Sequence, residues 1–349
     1  MFRIGLAILL VSGTGCSRFL IRTDNDVRIR GPVETKVTAD MPPVSDAGPV
    51  QPVPVRPGAG TETVAIVDVD GLILNAPFTG PLSVGENPVA LFREKLDAIE
   101  ADPRVKAVVL RVNSPGGGVA ATGAMRRDLQ RFRARSGKPV VACVLDQACG
   151  GAYVLATAAD VVVADQAAVV GGVGVILNLF NLRDLMAQFN IVPQPVKAGD
   201  KTDLGSSARA LAPEEKKLLQ DMADELHAEL IAAVRKSRPQ AEAPTGTTFD
   251  GRVFTAKQAV TRGLIDVVGD LDEAVRLAEE RAGCTCGTPA VVMLRRKNDP
   301  ARSVYAVTPN VPLQGAGLLP NVPGLDRSKL PTFLSLWQPE LTMEKLGGK

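Results

Sequence analysis

Between Thr63 and Asp165 one pattern recurs: a run of consecutive apolar residues, a run with helical spacing, then another apolar run. "TVAIVDVDGLI" alternates as a strand, and "PVALFREKLDAIEADPRV" has helical spacing. "VKAVVLRVN" is a strand ending at Asn113, and "GVAATGAMRRDLQRFRARSG" is a helix closed by Gly137. "KPVVACVLD" and "DVVVAD" are strands again, with a helix opening around Gly150 between them. Strands apolar on successive residues are buried on both faces, and strands separated by helices run parallel. The pattern predicts an α/β fold with a mainly parallel sheet and flanking helices. Further on, "PEEKKLLQDMADELHAELIAAVRK" reads as a long amphipathic helix opening at Pro213 with acids in its first turn. "TAKQAVTRGLIDVVGDLDEAVRLAEERAG" reads as two helices joined through a short strand.

The flanks cannot build a core. Arg3 precedes a short apolar run, Ile4 to Val11, which is too short to span a bilayer and fits a signal-peptide core. The run is followed by Gly13-Thr14-Gly15-Cys16, which resembles a bacterial lipoprotein processing site and makes Cys16 a candidate lipid-attachment cysteine. A diacylated cysteine would tether the rest of the chain to a membrane surface. Pro, Val and small polar residues dominate from Gly31 to Thr63, as in a semi-extended spacer. From Asn298 the chain is again rich in Pro and Gly, but it carries Phe333, Leu336 and Trp337. That composition predicts an irregular tail that docks on the domain or on a neighbouring subunit. The expected division is a leader over 1–16, a Pro-rich linker over 17–62, a folded domain over 63–296 and a tail over 297–349.

A formal net charge of +2 with no basic stripe argues against a nucleic-acid partner. The chain has a single histidine, His227, set among Glu225, Glu229 and Lys236 on a predicted helix, where a solvated face is expected. A Ser-His-Asp triad or a histidine-based metal cluster would have to be built around that one residue. Cys284 and Cys286 form a lone C-x-C without the second pair that a closed zinc site needs, leaving a local disulfide or two free thiols. Cys143 falls inside an apolar strand and reads as core. No metal or organic cofactor is implied.

Two glycine-rich loops could carry chemistry. "NSPGGGVA" follows a buried strand and opens a helix, so its amides could point outward at the positive end of a helix dipole and hold a phosphate or an oxyanion. Gly116-x-Gly118-x-x-Ala121 matches a loose dinucleotide fingerprint, with Asp146 ending the next strand, but no Gly-Lys-Ser/Thr follows. "ACGGAYV" repeats the design with a nucleophile, Cys149, before two glycines at a helix start, a setting that lowers a thiol pKa. Together the loops are half of an acyl-transfer site, with a nucleophile on one and oxyanion donors on the other. They lack a base, and with His227 set aside a lysine is the remaining candidate.

"RVNSPGGGV", "ACGGAYVLATAADVVVAD", "VGGVGV", "KTDLGSSAR" and "GRVFTAKQAVTRGLID" resemble, in order and spacing, the signal peptide peptidase A family of membrane-associated Ser-Lys dyad proteases. The resemblance covers about residue 63 to residue 282. It implies a fold like the Clp protease and crotonase, a peptide substrate, and an oligomer built from copies of the chain or with a paralogue. It also implies a place in the cell envelope, anchored at the membrane and facing the periplasm or cell exterior. By that resemblance Cys149 stands at the nucleophile position, where the family has serine, and Gly117, Gly118 and Gly150 are oxyanion or substrate-backbone donors. Counted from Gly199, the family lysine position is Thr202, and Lys201 lies one residue early as a displaced base. A one-residue offset in extended chain turns a side chain to the opposite face. Gly172 stands where the family usually carries a serine near the site. Arg209, after the lysine loop, either positions peptide backbone or pairs with an acid.

Two readings of this pattern compete. In one, Cys149 is a thiol nucleophile that needs less help from a base than serine does. In the other, Cys149 fills the serine's volume as a small buried hydrophobe, and the chain is a catalytically inactive scaffold subunit. A crotonase-like acyl-CoA enzyme would share the oxyanion loops but gains nothing from a lipid anchor and a Pro-rich stalk.

Overall fold

The computed structural model describes residues 48–76, 86–241, 247–284, 288–297, 301–306 and 333–337, which all fall in one compact unit spanning Pro43–Lys349. Cys16 and Cys286 lie outside the described residues.

The predicted alternation is what the chain builds. Strands β2 (Thr63–Ile73), β3 (Val105–Gly118), β4 (Val140–Cys149) and β5 (Val161–Ala164) pair in parallel in that order. Helices α1 (Pro88–Ala101), α2 (Val119–Ser136) and α3 (Gly151–Ala156) make the crossovers. Strand β9 (Ala290–Arg295) joins in parallel beside β2, and β8 (Val267–Val268) beside β5. Strand identity along β2 and β3 follows side-chain alternation. Ala65, Val67 and Val69 enter one core with Val108, Leu110 and Val112, whereas Val64, Ile66, Ala107 and Val109 enter the opposite one. The first core is covered by α1, α2 and α3, where Phe92, Leu96, Leu129 and Phe132 are buried. The second is covered by α7 (Leu271–Ala282) through Leu271, Ala274, Val275 and Ala278, with Cys143 inside it as expected. The fold class is α/β with a mainly parallel sheet and flanking helices.

The helix ends follow their local chemistry. Asn87 caps α1 by accepting from the Val89 amide at 2.9 Å, and Pro88 occupies the first turn, where its missing N–H costs nothing. Gly137 closes α2 with φ +66, and its N–H donates to Arg133 O.

Three departures from the sequence expectation matter. First, β3 does not stop at Asn113: it runs on through Gly118, because Gly116 and Gly117 keep pairing with Leu72 and Ile73 of β2. Second, Gln51–Arg56, which composition assigns to the spacer, forms an edge strand β1 antiparallel to β9. Its prolines are tolerated there because an edge strand has one side free of the ladder. Third, β4 divides its pairing. Val141–Val144 pair with β5, whereas Gln147–Cys149 pair with β6 (Val169–Gly171), which itself pairs antiparallel with β7 (Val253–Thr255). This split gives the end of β4, and Cys149 with it, β6 as a neighbour in place of β5, while Ala148 still pairs with Ser114 of β3.

A buried charge network, invisible to composition, ties β2, α1, β3 and β9 together. Lys95 Nζ lies 2.7 Å from Asp68 Oδ1, Arg295 Nη1 is 3.9 Å from Asp68 Oδ2, and Arg111 Nη2 is 2.5 Å from Asp70 Oδ2. Burial opposes ionisation of Asp68, but Lys95, Arg295 and Arg111 outweigh it and hold its carboxyl well below the usual carboxylate range. Removing one partner of a buried pair strands the other charge, a loss of about 3–5 kcal/mol. Lys95→Met leaves Asp68 with Arg295 and Arg111, so unfolding stability is expected to fall by less than that, about 1–3 kcal/mol, read as a shift in the urea midpoint with little change in slope. A midpoint within experimental error of the parent would overturn this account of the network.

Candidate active site

The site lies at the carboxyl ends of β3 and β4, where their backbones turn toward α2 and α3. Cys149 is the last residue of β4 and is wholly buried. Its thiol donates to Val169 O at 3.8 Å. Burial alone pushes the thiol up to about 12, and among the described residues no neighbouring charge offsets it. The lowered pKa expected from a glycine-flanked helix start is therefore not what the fold delivers. The six-residue α3 supplies too little dipole to compensate for loss of water around the sulfur.

Gly150 makes the turn that ends β4, with φ +53 and ψ −127. Its N–H donates to Gly171 O at 2.8 Å, so the expected role of Gly150 as an oxyanion donor is corrected: that amide is already committed to holding β6. Gly151 is fixed by packing, since a Cβ there would come within 2.4 Å of Thr122 Oγ1. Gly117 and Gly118 sit at the end of β3. Gly117 is pressed against β2, where an added Cβ would fall 1.9 Å from Ile73 O. Ser114 shapes the approach by donating to Gly71 O at 2.6 Å while accepting from the Gly116 amide at 3.1 Å.

A segment from the far end of the chain lies across these glycines. Strand β10 (Leu334–Leu336) pairs antiparallel with the end of β3, with Leu334 opposite Gly118, Ser335 opposite Gly117 and Leu336 opposite Gly116. Val119 N–H donates to Phe333 O at 3.2 Å, and Trp337 N–H donates to Pro115 O at 2.9 Å. The docking tail predicted from Phe333, Leu336 and Trp337 therefore docks, and it docks over the candidate nucleophile. It also covers the helix start that a dinucleotide phosphate would need.

Lys201 and Thr202 make their contacts elsewhere than at Cys149. Lys201 is half exposed, with Nζ 3.9 Å from both Glu214 Oε2 and Glu215 Oε1. Thr202 Oγ1 donates to Ala198 O at 2.8 Å in an exposed turn. Arg209 pairs with acids, reaching Asp203 at 2.9 Å and Glu215 at 2.7 Å. Gly172 has φ +63, and a Cβ there would sit 3.3 Å from both Gly150 N and Trp337 Cβ. A serine at this position would be strained.

His227 was expected on a solvated face. It is instead half-buried on α5 (Pro213–Ser237), with Nε2 at 3.1 Å from Val173 O and 2.7 Å from Phe249 O. Carbonyls only accept, so Nε2 carries the proton and pins Val173, two residues after the Gly171 carbonyl that receives the Gly150 amide. Tyr153 anchors α3 by donating to Leu264 O at 2.8 Å, and its burial pushes the phenol up. Among the described residues no group of His, Cys, Asp and Glu could hold a metal ion.

A family model described as peptidase family S49 matches residues 133–285. Over those residues the chain is similar to peptidase family S49. The S49 match takes in the Cys149 loop, the Lys201 turn and His227, and stops short of β10. A Methanocaldococcus jannaschii protein named as a protease is 35% identical over 187 residues, 54% of this chain and 60% of that one. Protease 4 of Salmonella typhi is 31% identical over 63% of this chain and 35% of its own length. The chloroplastic serine protease SPPA of Arabidopsis thaliana is 30% identical over 64% of this chain and 33% of its own length. The chain thus matches between 33% and 60% of the length of these relatives. A solved membrane-bound stomatin-specific protease overlays with a TM-score of 0.37 at 15% identity, covering 62% of this chain and 79% of that one, too loosely to bear on the site.

The thiols set an alkaline limit. Cys143 and Cys149 both titrate near 12 when folded, and near 8.5 in an unfolded chain. Above about pH 9 the unfolded chain releases these protons and the folded one keeps them, so stability falls by about 1.4 kcal/mol per pH unit for each thiol. Urea midpoints between pH 8 and 11 should decline with that slope, and Cys149→Ala should flatten it. An unchanged slope in that variant would refute the buried neutral thiol.

Proposed function

We propose that this chain is a membrane-tethered S49-type endopeptidase that hydrolyses cleaved signal peptides or similar extended apolar peptides. The observation that carries this reading is the groove itself: Cys149 at the end of β4, the Gly116–Gly118 backbone beside it, and an extended segment of chain already seated between them. In such a reaction Cys149 would pass its proton to a base and attack the peptide carbonyl. The C–N bond would then break as the amine leaves with a proton, and water would release the acyl group from sulfur. Lys201 is the proposed base, acting after the turn that holds it rearranges.

Self-assembly is part of the proposal. The arm between β6 and α5 exposes Phe189, Ile191, Val192 and Val196, with Val196 fully exposed, and an apolar patch of this kind marks a partner surface. A second copy or a paralogue would cover it, and Lys201 lies on the same arm. No helix among the described residues is long and apolar enough to cross a membrane. We assign tethering in the cell envelope to a leader over 1–16 with lipid on Cys16 and a linker from 17 that ends ahead of β1, with the tail over 297–349 returning to the domain. The scaffold reading draws on one observation, that no charged partner stands at the Cys149 thiol among the described residues.

The test uses the full chain and an apolar signal-peptide sequence, with products read by mass spectrometry. Turnover should fall at least 100-fold in Cys149→Ala and drop in Lys201→Ala, as expected when a nucleophile or its base is lost. Turnover that survives Cys149→Ala overturns the assignment, and peptide bound but never cut means a scaffold.

A further inference from the structure

We propose that residues 333–337 are a built-in occupant of the peptide groove and that Ser335 marks its central subsite, which admits only a small side chain. The proposal rests on the groove named above and not on hydrolysis.

The segment is held as a bound peptide is held, by main-chain pairing on both sides. On one side the pairs Phe333/Val119 and Trp337/Pro115 are hydrogen-bonded, so the antiparallel alternation makes Ser335 and Gly117 the bonded pair between them. On the other side Leu334 exchanges both bonds with Ile176, at 2.8 and 2.9 Å. A strand bonded on both edges has no free register.

The Ser335 carbonyl oxygen sits where an acyl oxygen would. A Cβ on Gly116 or on Gly150 would fall 2.2 Å from that oxygen, so the carbonyl is sunk in a cradle that only glycines leave open. The next atoms of the same peptide also press on Gly150: its Cβ would lie 2.4 Å from Ser335 C and 2.7 Å from Leu336 N. The bond presented to the Cys149 loop is therefore Ser335–Leu336.

The Ser335 side chain is wholly buried, and its Oγ has no hydrogen-bond partner. A buried hydroxyl without a partner is a cost, so the position is selecting for size and not for a polar contact. Leu334, Leu336 and Trp337 are only partly buried. The ligand class that follows is an extended peptide with Gly, Ala or Ser at the cradle position and large apolar residues around it.

Three full-length variants and one peptide test this. Ser335→Trp overfills the subsite, Leu334→Pro removes the donor to Ile176 O, and Ser335→Ala removes the unpartnered hydroxyl. Alkylation of Cys149 by iodoacetamide, followed by intact mass, should run at least tenfold faster than the parent in the first two and severalfold slower in the third. A fluorescein-labelled peptide of sequence LPTFLSLWQPE should bind the first two variants at concentrations where the parent binds none, and its Ser→Trp analogue should not bind. Equal alkylation rates across the set overturn the proposal. So does loss of cooperative unfolding in both Ser335→Trp and Leu334→Pro, which would make β10 a strand of the core. Protection that disappears on dilution would place the segment in a neighbouring copy and overturn occupancy within the chain. Peptide that binds the opened variants but stays uncut upholds the occupied groove and overturns the hydrolysis reading alone.

Discussion

Main chain meets main chain over Cys149, with no room for a side chain between. The end of β3 is pressed from one side by Ile73 and from the other by Ser335, and the turn at Gly150 touches the same Ser335 peptide. Every other feature of the site depends on that approach. It forces glycine at 116, 117 and 150, fixes the split pairing of β4, and leaves backbone amides and carbonyls as the surface a ligand meets. A site made this way keeps its shape whatever side chain stands at its centre. Its geometry can therefore survive a change of nucleophile from hydroxyl to thiol.

Burial acts on two kinds of group in this fold with opposite results. Asp68 is buried among Lys95, Arg295 and Arg111, and the partners win, so the charge is kept. Cys149 is buried with only a carbonyl beside its thiol and no charged partner among the described residues, and desolvation wins, so the proton is kept. The difference lies in what the fold brings within reach and not in depth. A reactive Cys149 thus requires a change around it, through water, a displaced segment or a base carried in on the 176–212 arm.

Much of the fold was legible because strand and helix periods dictate it. The apolar runs of β2 to β5, the Pro213 start of α5 and the Gly137 stop of α2 each have a local cause written in adjacent residues. The site was legible in part. The glycine loops and Cys149 were found because three consecutive glycines and a Cys-Gly-Gly have few structural uses. The commitment of the Gly150 amide, the anchoring role of His227 and the Asp68 network were not legible. Each depends on a partner tens to hundreds of residues away, and no local period reports it. The same holds for β1, whose prolines read as spacer until β9 supplies an edge to pair with. Thr202 and Lys201 show the limit from another side: counting along the chain gives an order of residues, but a turn decides which way each one faces.

The buried guanidinium of Arg111 also takes hold of the chain that follows β9, donating to Val304 O at 2.6 Å and to Ala306 O at 2.9 Å. Residue 306 is thereby nailed to the sheet, and whatever follows starts from a fixed origin. An occupant of the groove that begins at 333 is thus tethered, and its competition with a free ligand is set by tether length and not by how much protein is present. Tethers of modest length correspond to an effective concentration on the order of millimolar. A free peptide meeting this chain at micromolar levels faces a rival about a thousandfold more concentrated. Dense local supply, as at a membrane surface where apolar peptides accumulate, is the setting in which that disadvantage would shrink.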